Sequence, residues 1–267
     1  MSYIELIGCT GAGKTTLLNN ILRACRERGL DAFNGDDYVL ENAHLNWVKG
    51  HLARTLFVDF FSLMASLWAW RRHSDFYQLV FRIIFSLKKV GWQERLNIIR
   101  NTLKKIGIYE IIGRLSSNQQ IILLDEGSLH TAHYLFVHLT NNLPETDLLS
   151  FIKSVPLPDV VIYLRQDEEI LIERTLMRGH KRIPGGSRAM TERFIRRALI
   201  TFDKLAQTPI VASRLFIVEP DYQVRVPPSE KDLALKSKIL EILKAGLEPT
   251  NTDFLHKQTE SPLIRLG

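Results

Sequence analysis

The stretch that decides the fold is Gly8-Cys9-Thr10-Gly11-Ala12-Gly13-Lys14-Thr15, which fits the phosphate-binding pattern G-x-x-x-x-G-K-[ST]. The short apolar run Ser2–Ile7 comes before it and predicts a buried strand. After it, apolar residues recur at helical spacing as far as Gly29 and predict an amphipathic helix. Because this pattern requires a strand before it and a helix after it, the sequence predicts that the chain binds a nucleoside triphosphate.

The residue types in this loop suit the phosphate groups of ATP. Glycines at positions 8, 11 and 13 let the backbone curl so that successive N–H groups point at phosphate oxygens, and the following helix adds its N-terminal dipole. We expect Lys14 to reach the β- and γ-phosphates and the Thr15 hydroxyl to ligate Mg²⁺. The predicted ATP-binding residues are Gly8, Cys9, Thr10, Gly11, Ala12, Gly13, Lys14, Thr15 and Thr16.

A second motif follows the apolar run Ile121–Leu124, which predicts a buried parallel strand. This strand would deliver Asp125 to the crevice at the carboxyl end of the sheet, where its carboxylate can hold the Mg²⁺ bound to the phosphates. The predicted magnesium ligands are therefore Thr15 and Asp125. The role of the neighbouring Glu126 is left open.

Two acidic residues, Asp36 and Asp37, follow the predicted second strand, 30–34. Residues at this end of a parallel strand line the ligand crevice, so either carboxylate could take the proton of an acceptor hydroxyl. The competing interpretation is a turn or a helix N-cap, which is a common position for Asp. Both are kept as catalytic candidates, and Asp36 is preferred because it directly follows Gly35, where the chain leaves the strand.

A basic segment at 174–190 is predicted to form a lid. Arg174 and Arg178 lie one turn apart on a helix that begins after Asp167 and stops at Gly179, and a Gly-rich basic loop follows. Arginines in this arrangement suit a mobile lid that closes over transferring phosphate and excludes water. A solvated basic helix face is the alternative.

Residues 44–115 have a helical, aromatic-rich pattern and are predicted to form an insertion between the second and third strands. Their twelve Lys and Arg and four Asp and Glu carry more net positive charge than the +6 of the whole chain. This excess suggests an anionic ligand or surface. The apolar run at 56–70 is shorter than a membrane span and contains Asp59, so a buried core helix is predicted there.

Length and composition fit one large α/β domain in the cytoplasm. A chain of 267 residues with 45% hydrophobic residues can bury a sizeable core, and its two cysteines form no disulfide framework. The first strand starts at once, which predicts no signal peptide. One domain is predicted over 1–247, including a C-terminal helix at 229–243, and 248–267 is predicted to be a loosely ordered tail.

These sites, in this order along the chain, resemble those of the P-loop kinases of the nucleoside monophosphate kinase superfamily. The stretch 158–182, with Val161-Ile162-Tyr163-Leu164-Arg165, Glu173-Arg174 and Arg178-Gly179, is similar to the lid region of thymidylate kinases and deoxynucleoside kinases. Where that family usually has Asp-Arg or Glu-Arg after the third strand, this chain has Asp125-Glu126. The resemblance implies an α/β fold of the P-loop NTPase type, with three α/β/α layers, a mostly parallel sheet and a helical insertion between strands 2 and 3.

The residues and the resemblance together predict an ATP-dependent kinase that transfers the γ-phosphoryl group to a nucleotide, nucleoside or similar small acceptor, with ATP and Mg²⁺ as cofactors. The predicted catalytic residues are Lys14, Asp36, Asp37, Asp125, Arg174 and Arg178. The alternative is a P-loop ATPase that acts as a conformational switch, since Asp125-Glu126 also fits a Walker B motif with a catalytic Glu.

The expected partners are ATP and an anionic or hydroxyl-bearing small-molecule acceptor, and no nucleic acid is expected. Whether the chain forms a homodimer is left open. Membrane-surface contact through the basic insertion is given the lowest weight, because it rests on charge alone.

Overall fold

A computed structural model describes residues 2–88, 90–115, 120–138, 144–180, 183 and 186–219. Its five strands are β1 (Ser2–Ile7), β2 (Ala32–Asn34), β3 (Ile121–Leu124), β4 (Val160–Leu164) and β5 (Leu215–Val218). They form one sheet in the order β2-β3-β1-β4-β5, and every neighbouring pair is parallel. The strand that feeds the phosphate-binding loop therefore lies at the centre of the sheet.

Helices connect these strands and cover them. Those in the described residues are α1 (Lys14–Glu27), α2 (Gly35–Asn42), α3 (His51–Trp68), α4 (Ser74–Ser86), α5 (Trp92–Leu115), α6 (Thr131–Phe136), α7 (Glu145–Ser154), α8 (Glu168–Arg178), α9 (Arg188–Gln207) and α10 (Pro209–Ala212). Of these, α7 and α10 were not predicted. The predicted C-terminal helix at 229–243 and the tail at 248–267 lie outside the described residues.

The strands bury side chains on both faces of the sheet. Tyr3, Ile122 and Leu124 pack into one apolar cluster with residues of α2, α3 and α5. Ile4 and Leu123, which alternate with them, pack into a second cluster with residues of α1, α4, α8 and α9. Because successive side chains of a strand point to opposite faces, the sheet lies between two helical layers. The predicted three-layer P-loop NTPase fold is confirmed.

The helical insertion between β2 and β3 is built from α3, α4 and α5. Helices α3 and α5 pack backbone to backbone, because a Cβ atom at Gly107 of α5 would lie only 1.8 Å from the carbonyl oxygen of Ser62 in α3. Glycine at this position therefore lets the backbones of α3 and α5 come into direct contact.

The prediction of a buried core helix for the run at 56–70 is wrong for one side of α3. The buried residues of α3 are Val58, Ser62 and Ser66, whereas Leu52 is 72% and Phe60 56% exposed. The apolar arc of this helix therefore faces solvent, and its small polar residues face α5. Within the described residues, no helix combines the length and the apolar character needed to cross a membrane.

Candidate active site

The phosphate-binding loop has the backbone that its glycines predict. Gly8, Gly11 and Gly13 have φ values of 141°, 80° and 96°, and Gly13 is the N-cap of α1. These left-handed values are open to glycine and strained for other residues. Cys9 and Ala12 between them are buried in the core, and burial raises the pKa of the Cys9 thiol to about 12. Cys9 therefore serves as a small packing residue of the loop.

Lys14 and Arg174 both contact the loop. The buried Lys14 folds back so that its Nζ donates to the carbonyl oxygens of Gly8 at 3.0 Å and Cys9 at 3.2 Å. Burial lowers the pKa of Lys14, while the charge of the Glu126 carboxylate raises it. From α8, Arg174 Nη1 donates to the carbonyl oxygen of Gly11 at 3.0 Å, so this arginine already lies at the loop.

Thr15 and Asp125 meet although they are 110 positions apart in the sequence. The Thr15 Oγ1 hydroxyl donates to Asp125 Oδ2 at 3.0 Å. Thr15 is on the first turn of α1, and Asp125 directly follows β3, which is the neighbour of β1. A hydroxyl and a carboxylate are the oxygen ligands that Mg²⁺ takes beside phosphates, so this pair fits the ion.

Glu5, a buried acid inside β1, was not predicted to be a site residue. Its carboxylate accepts the backbone N–H groups of Gly127 at 3.0 Å, Leu129 at 3.1 Å and His130 at 2.7 Å. Burial raises the pKa of Glu5 and these hydrogen bonds lower it, with a net value of about 7. Glu5 thereby fixes the loop that directly follows Asp125. The available signal was an acidic residue in an otherwise apolar strand.

Asp36 and Asp37 lie in the first turn of α2, but neither is its N-cap. The N-cap is Asn34, whose Oδ1 accepts from the backbone N–H of Asp36 at 3.2 Å. Both acids are paired with cations of the insertion: Lys104 Nζ lies 3.0 Å from Asp36 Oδ2, and Arg54 Nη2 lies 2.6 Å from Asp37 Oδ1. Asp37 is exposed and Asp36 half-buried, at the end of the sheet that also carries Asp125.

Glu126 is held by polar side chains from two other elements. Its Oε2 accepts from Tyr134 Oη at 2.6 Å and lies 3.8 Å from Lys105 Nζ, and its Oε1 lies 3.6 Å from His130 Nε2. Burial raises the pKa of Glu126, but the charges of His130, Lys105 and Lys14 lower it more, so the net pKa is well below its ordinary value. A carboxylate that is ionised and paired in this way is a weak general base.

The predicted lid is described only in part. Arg178 ends α8, is exposed, and makes no ion pair with the residues that the structure describes. The start of α9 is fixed to α8 because Arg188 pairs with Glu169 and with Glu173. Positions 181, 182, 184 and 185 of the predicted basic loop lie outside the described residues.

Comparisons with known proteins found solved structures alone. No family model and no curated protein matches the chain. A structure of deoxyadenosine kinase from M. mycoides with dCMP and dCDP is 17% identical, covers 90% of this chain and 98% of that chain, and has a TM-score of 0.46. Structures of deoxyadenosine kinase from the same organism with bound dATP and dCTP are 17% and 15% identical, cover 89% of this chain and 98% of theirs, and have TM-scores of 0.45 and 0.42.

No group of three or more His, Cys, Asp or Glu residues in the described part of the chain is arranged to hold a further metal ion. His130 instead stacks on His133 with ring centroids 5.3 Å apart, and His133 stacks on Phe202 of α9 at 6.0 Å. These histidines contribute to the core between α6 and α9.

Proposed function

We propose that this protein is an ATP-dependent phosphotransferase that moves the γ-phosphoryl group of ATP to a hydroxyl of a nucleoside, nucleotide or similar small acceptor. The observation that carries the proposal is the 3.0 Å contact between Thr15 of the phosphate-binding loop and Asp125. It joins the two parts of an ATP·Mg²⁺ site at the carboxyl edge of the sheet. Asp36, at the end of the adjacent strand, supplies an acid on the acceptor side.

On the donor side, the backbone of the loop from Gly8 to Thr16 binds the phosphates of ATP, and Lys14 moves from its carbonyl partners to the β- and γ-phosphates. Thr15 and Asp125 hold Mg²⁺, which would neutralise charge on the phosphates. Arg174, already at the loop, and Arg178, one turn further along α8, stabilise charge on the transferring group.

On the acceptor side, Asp36 orients the acceptor hydroxyl and takes its proton as the acceptor oxygen bonds to the γ-phosphorus. The bond from that phosphorus to the β–γ bridging oxygen breaks, and its electron pair leaves with ADP. Asp37 is the second candidate: both acids pair with a cation of the insertion, and Asp36 is preferred because it directly follows Gly35, where the chain leaves β2. The basic insertion closes around the acceptor and favours one that bears phosphate.

The paired state of Glu126 weakens the alternative of an ATPase that works as a conformational switch. That alternative needs a carboxylate free to activate water, and Glu126 accepts a hydrogen bond from Tyr134 and lies near Lys105. In the kinase proposal, Glu126 organises the side chains around Asp125.

The exposed arc of α3 is proposed to bind a second copy of this chain. Eight large apolar residues of α3 are at least one-third exposed: Leu52, Leu56, Phe57, Phe60, Leu63, Met64, Leu67 and Trp68. At roughly 200 Å² for a fully exposed large side chain, they offer about 800 Å², which is the area each partner contributes to a standard interface. A cytoplasmic location completes the proposal, since Cys9 and Cys25 are free and buried thiols.

The test is transfer from labelled ATP in the presence of Mg²⁺ to a panel of deoxynucleosides, nucleoside monophosphates and phosphorylated sugars. A phosphorylated acceptor is expected from the wild-type protein and none from Lys14→Ala. Acceptor-independent hydrolysis that continues at the same rate with every panel member would contradict the kinase proposal and favour the ATPase.

A further inference from the structure

Two consecutive lysines of α5 reach acids at the ends of two neighbouring strands. Lys104 lies 3.0 Å from Asp36, which follows β2, and Lys105 lies 3.8 Å from Glu126, which follows β3. Since β2 and β3 are adjacent in the sheet, α5 runs along the side of the crevice that contains the proposed acceptor acid. Lys104 therefore lies at the proposed acceptor acid, and Lys105 lies beside the acid that directly follows Asp125.

Lys105 is an enclosed cation that has few contacts. Its side chain is 14% exposed, and its 3.8 Å contact with Glu126 is longer than a hydrogen bond. Within the described residues no hydrogen bond to its ammonium is found, whereas Lys14 donates two. An ammonium has three donors, so Lys105 can donate to an anionic group that binds beside Glu126.

The charge of Lys105 acts on the same space as that of Lys14. Lys105 lies 3.8 Å from Glu126, which directly follows Asp125, and Lys14 directly precedes Thr15, which donates to Asp125. Two like charges that approach the loop from different elements repel each other. An anionic group bound between them would remove this repulsion.

We propose that Lys105 is a catalytic residue that binds the transferring phosphoryl group together with Lys14, while Lys104 positions Asp36. This inference rests on the proposed function. In the transfer, the acceptor oxygen bonds to phosphorus, the bond to the β–γ bridging oxygen breaks with its electron pair leaving on ADP, and the hydroxyl proton goes to Asp36. Lys105 keeps its proton throughout and neutralises charge on the phosphoryl oxygens.

The test measures the affinity of ADP·Mg²⁺ with and without aluminium fluoride, an anionic mimic of the transferring phosphoryl group, by calorimetry. Lys105→Met is expected to bind ADP·Mg²⁺ as the wild type does and to lose about tenfold or more in affinity for the aluminium fluoride complex. Lys105→Arg is expected to keep most of that affinity. Lys204→Met is the matched control, because Lys204 pairs with Glu145 on the surface of α9 and α7.

Equal affinity of Lys105→Met and wild type for the aluminium fluoride complex would overturn the inference, and so would a wild type that gains nothing from aluminium fluoride. An equal loss of ADP·Mg²⁺ affinity with and without aluminium fluoride would also overturn the inference, because that result marks a structural or ground-state contact. If Lys105→Met does not fold, Lys105→Gln gives the same comparison. No acceptor is present, so failure of the acceptor panel contradicts the proposed function without deciding the role of Lys105.

Discussion

Replacing Glu5 by Gln tests whether this buried carboxylate holds the loop that carries Asp125. Oε1 accepts from the backbone N–H groups of Gly127 and His130, and Oε2 accepts from that of Leu129. Gln has nearly the same shape, but one of its two ends is an NH₂ group with no acceptor. In either orientation at least one buried N–H loses its partner, which costs about 1–3 kcal/mol, so we expect a loss of about 2 kcal/mol in the free energy of unfolding.

The loss of stability caused by Glu5→Gln should depend on pH in a defined direction. Burial raises the pKa of Glu5 from 4.5 to about 7, so the folded protein binds this proton more tightly than the unfolded chain. The stability that Glu5 contributes by binding this proton is complete below pH 4.5, its pKa in the unfolded chain. It is lost as pH rises through about 7, its pKa in the folded protein. A protonated Oε2 can still accept from Leu129 while donating to Ser128 Oγ at 3.4 Å. The gap between wild type and Glu5→Gln should therefore narrow from pH 5 to pH 8.

Urea unfolding at several pH values, followed by tryptophan fluorescence, measures this gap. Glu27→Gln is the control, since Glu27 is an exposed acid at the end of α1. A difference below about 0.5 kcal/mol at pH 5, the range of ordinary surface substitutions, would refute the role given to Glu5. A gap that widens as pH rises would refute the assigned direction of its pKa.

Three further predictions concern the insertion, the loop and the exposed helix. Gly107→Ala should lower the free energy of unfolding by about 1–3 kcal/mol in urea unfolding, because its Cβ would meet Ser62. A Cβ atom at Gly113 of the same helix would meet nothing within 4 Å, so Gly113→Ala should not lower the free energy of unfolding. Equal losses in the two variants would contradict the close packing of α3 and α5. Arg174→Ala should lower turnover about a hundredfold and ATP affinity much less; equal losses would mark a ground-state contact. Phe60→Asp should convert a dimer of the 30.7 kDa chain into a monomer in light scattering, and a monomeric wild type would contradict the dimer.

The elements around the phosphate-binding loop could be predicted because their signals are local. Apolar runs predicted β1 and β3, and glycine punctuation predicted the end of α8. Asp167 was recognised as a helix cap, and its Oδ1 accepts from the N–H groups of Glu169 and Ile170. The meeting of Thr15 and Asp125 followed from topology, since β1 and β3 end at the same edge.

The remaining features depend on which surfaces meet, and periodicity does not contain that information. The apolar residues of α3 predict a buried face, but Gly107 lets α5 pack on the opposite, small-residue side of α3. Lys104 and Lys105 look like residues of a solvated basic face until the fold places them beside Asp36 and Glu126. These ion pairs depend on contacts across the edge of the sheet, and a single sequence does not show those contacts.

Single-turnover transfer from ATP to the acceptor found in the panel, measured by rapid quench for wild type, Asp36→Asn and Asp37→Asn, tests the account most directly. We predict that Asp36→Asn keeps its ATP affinity and loses about a hundredfold or more in the rate of transfer, the scale of general-base catalysis, while Asp37→Asn loses far less. Transfer at the wild-type rate by both variants would contradict the account, because no acid at the end of β2 would then act on the acceptor.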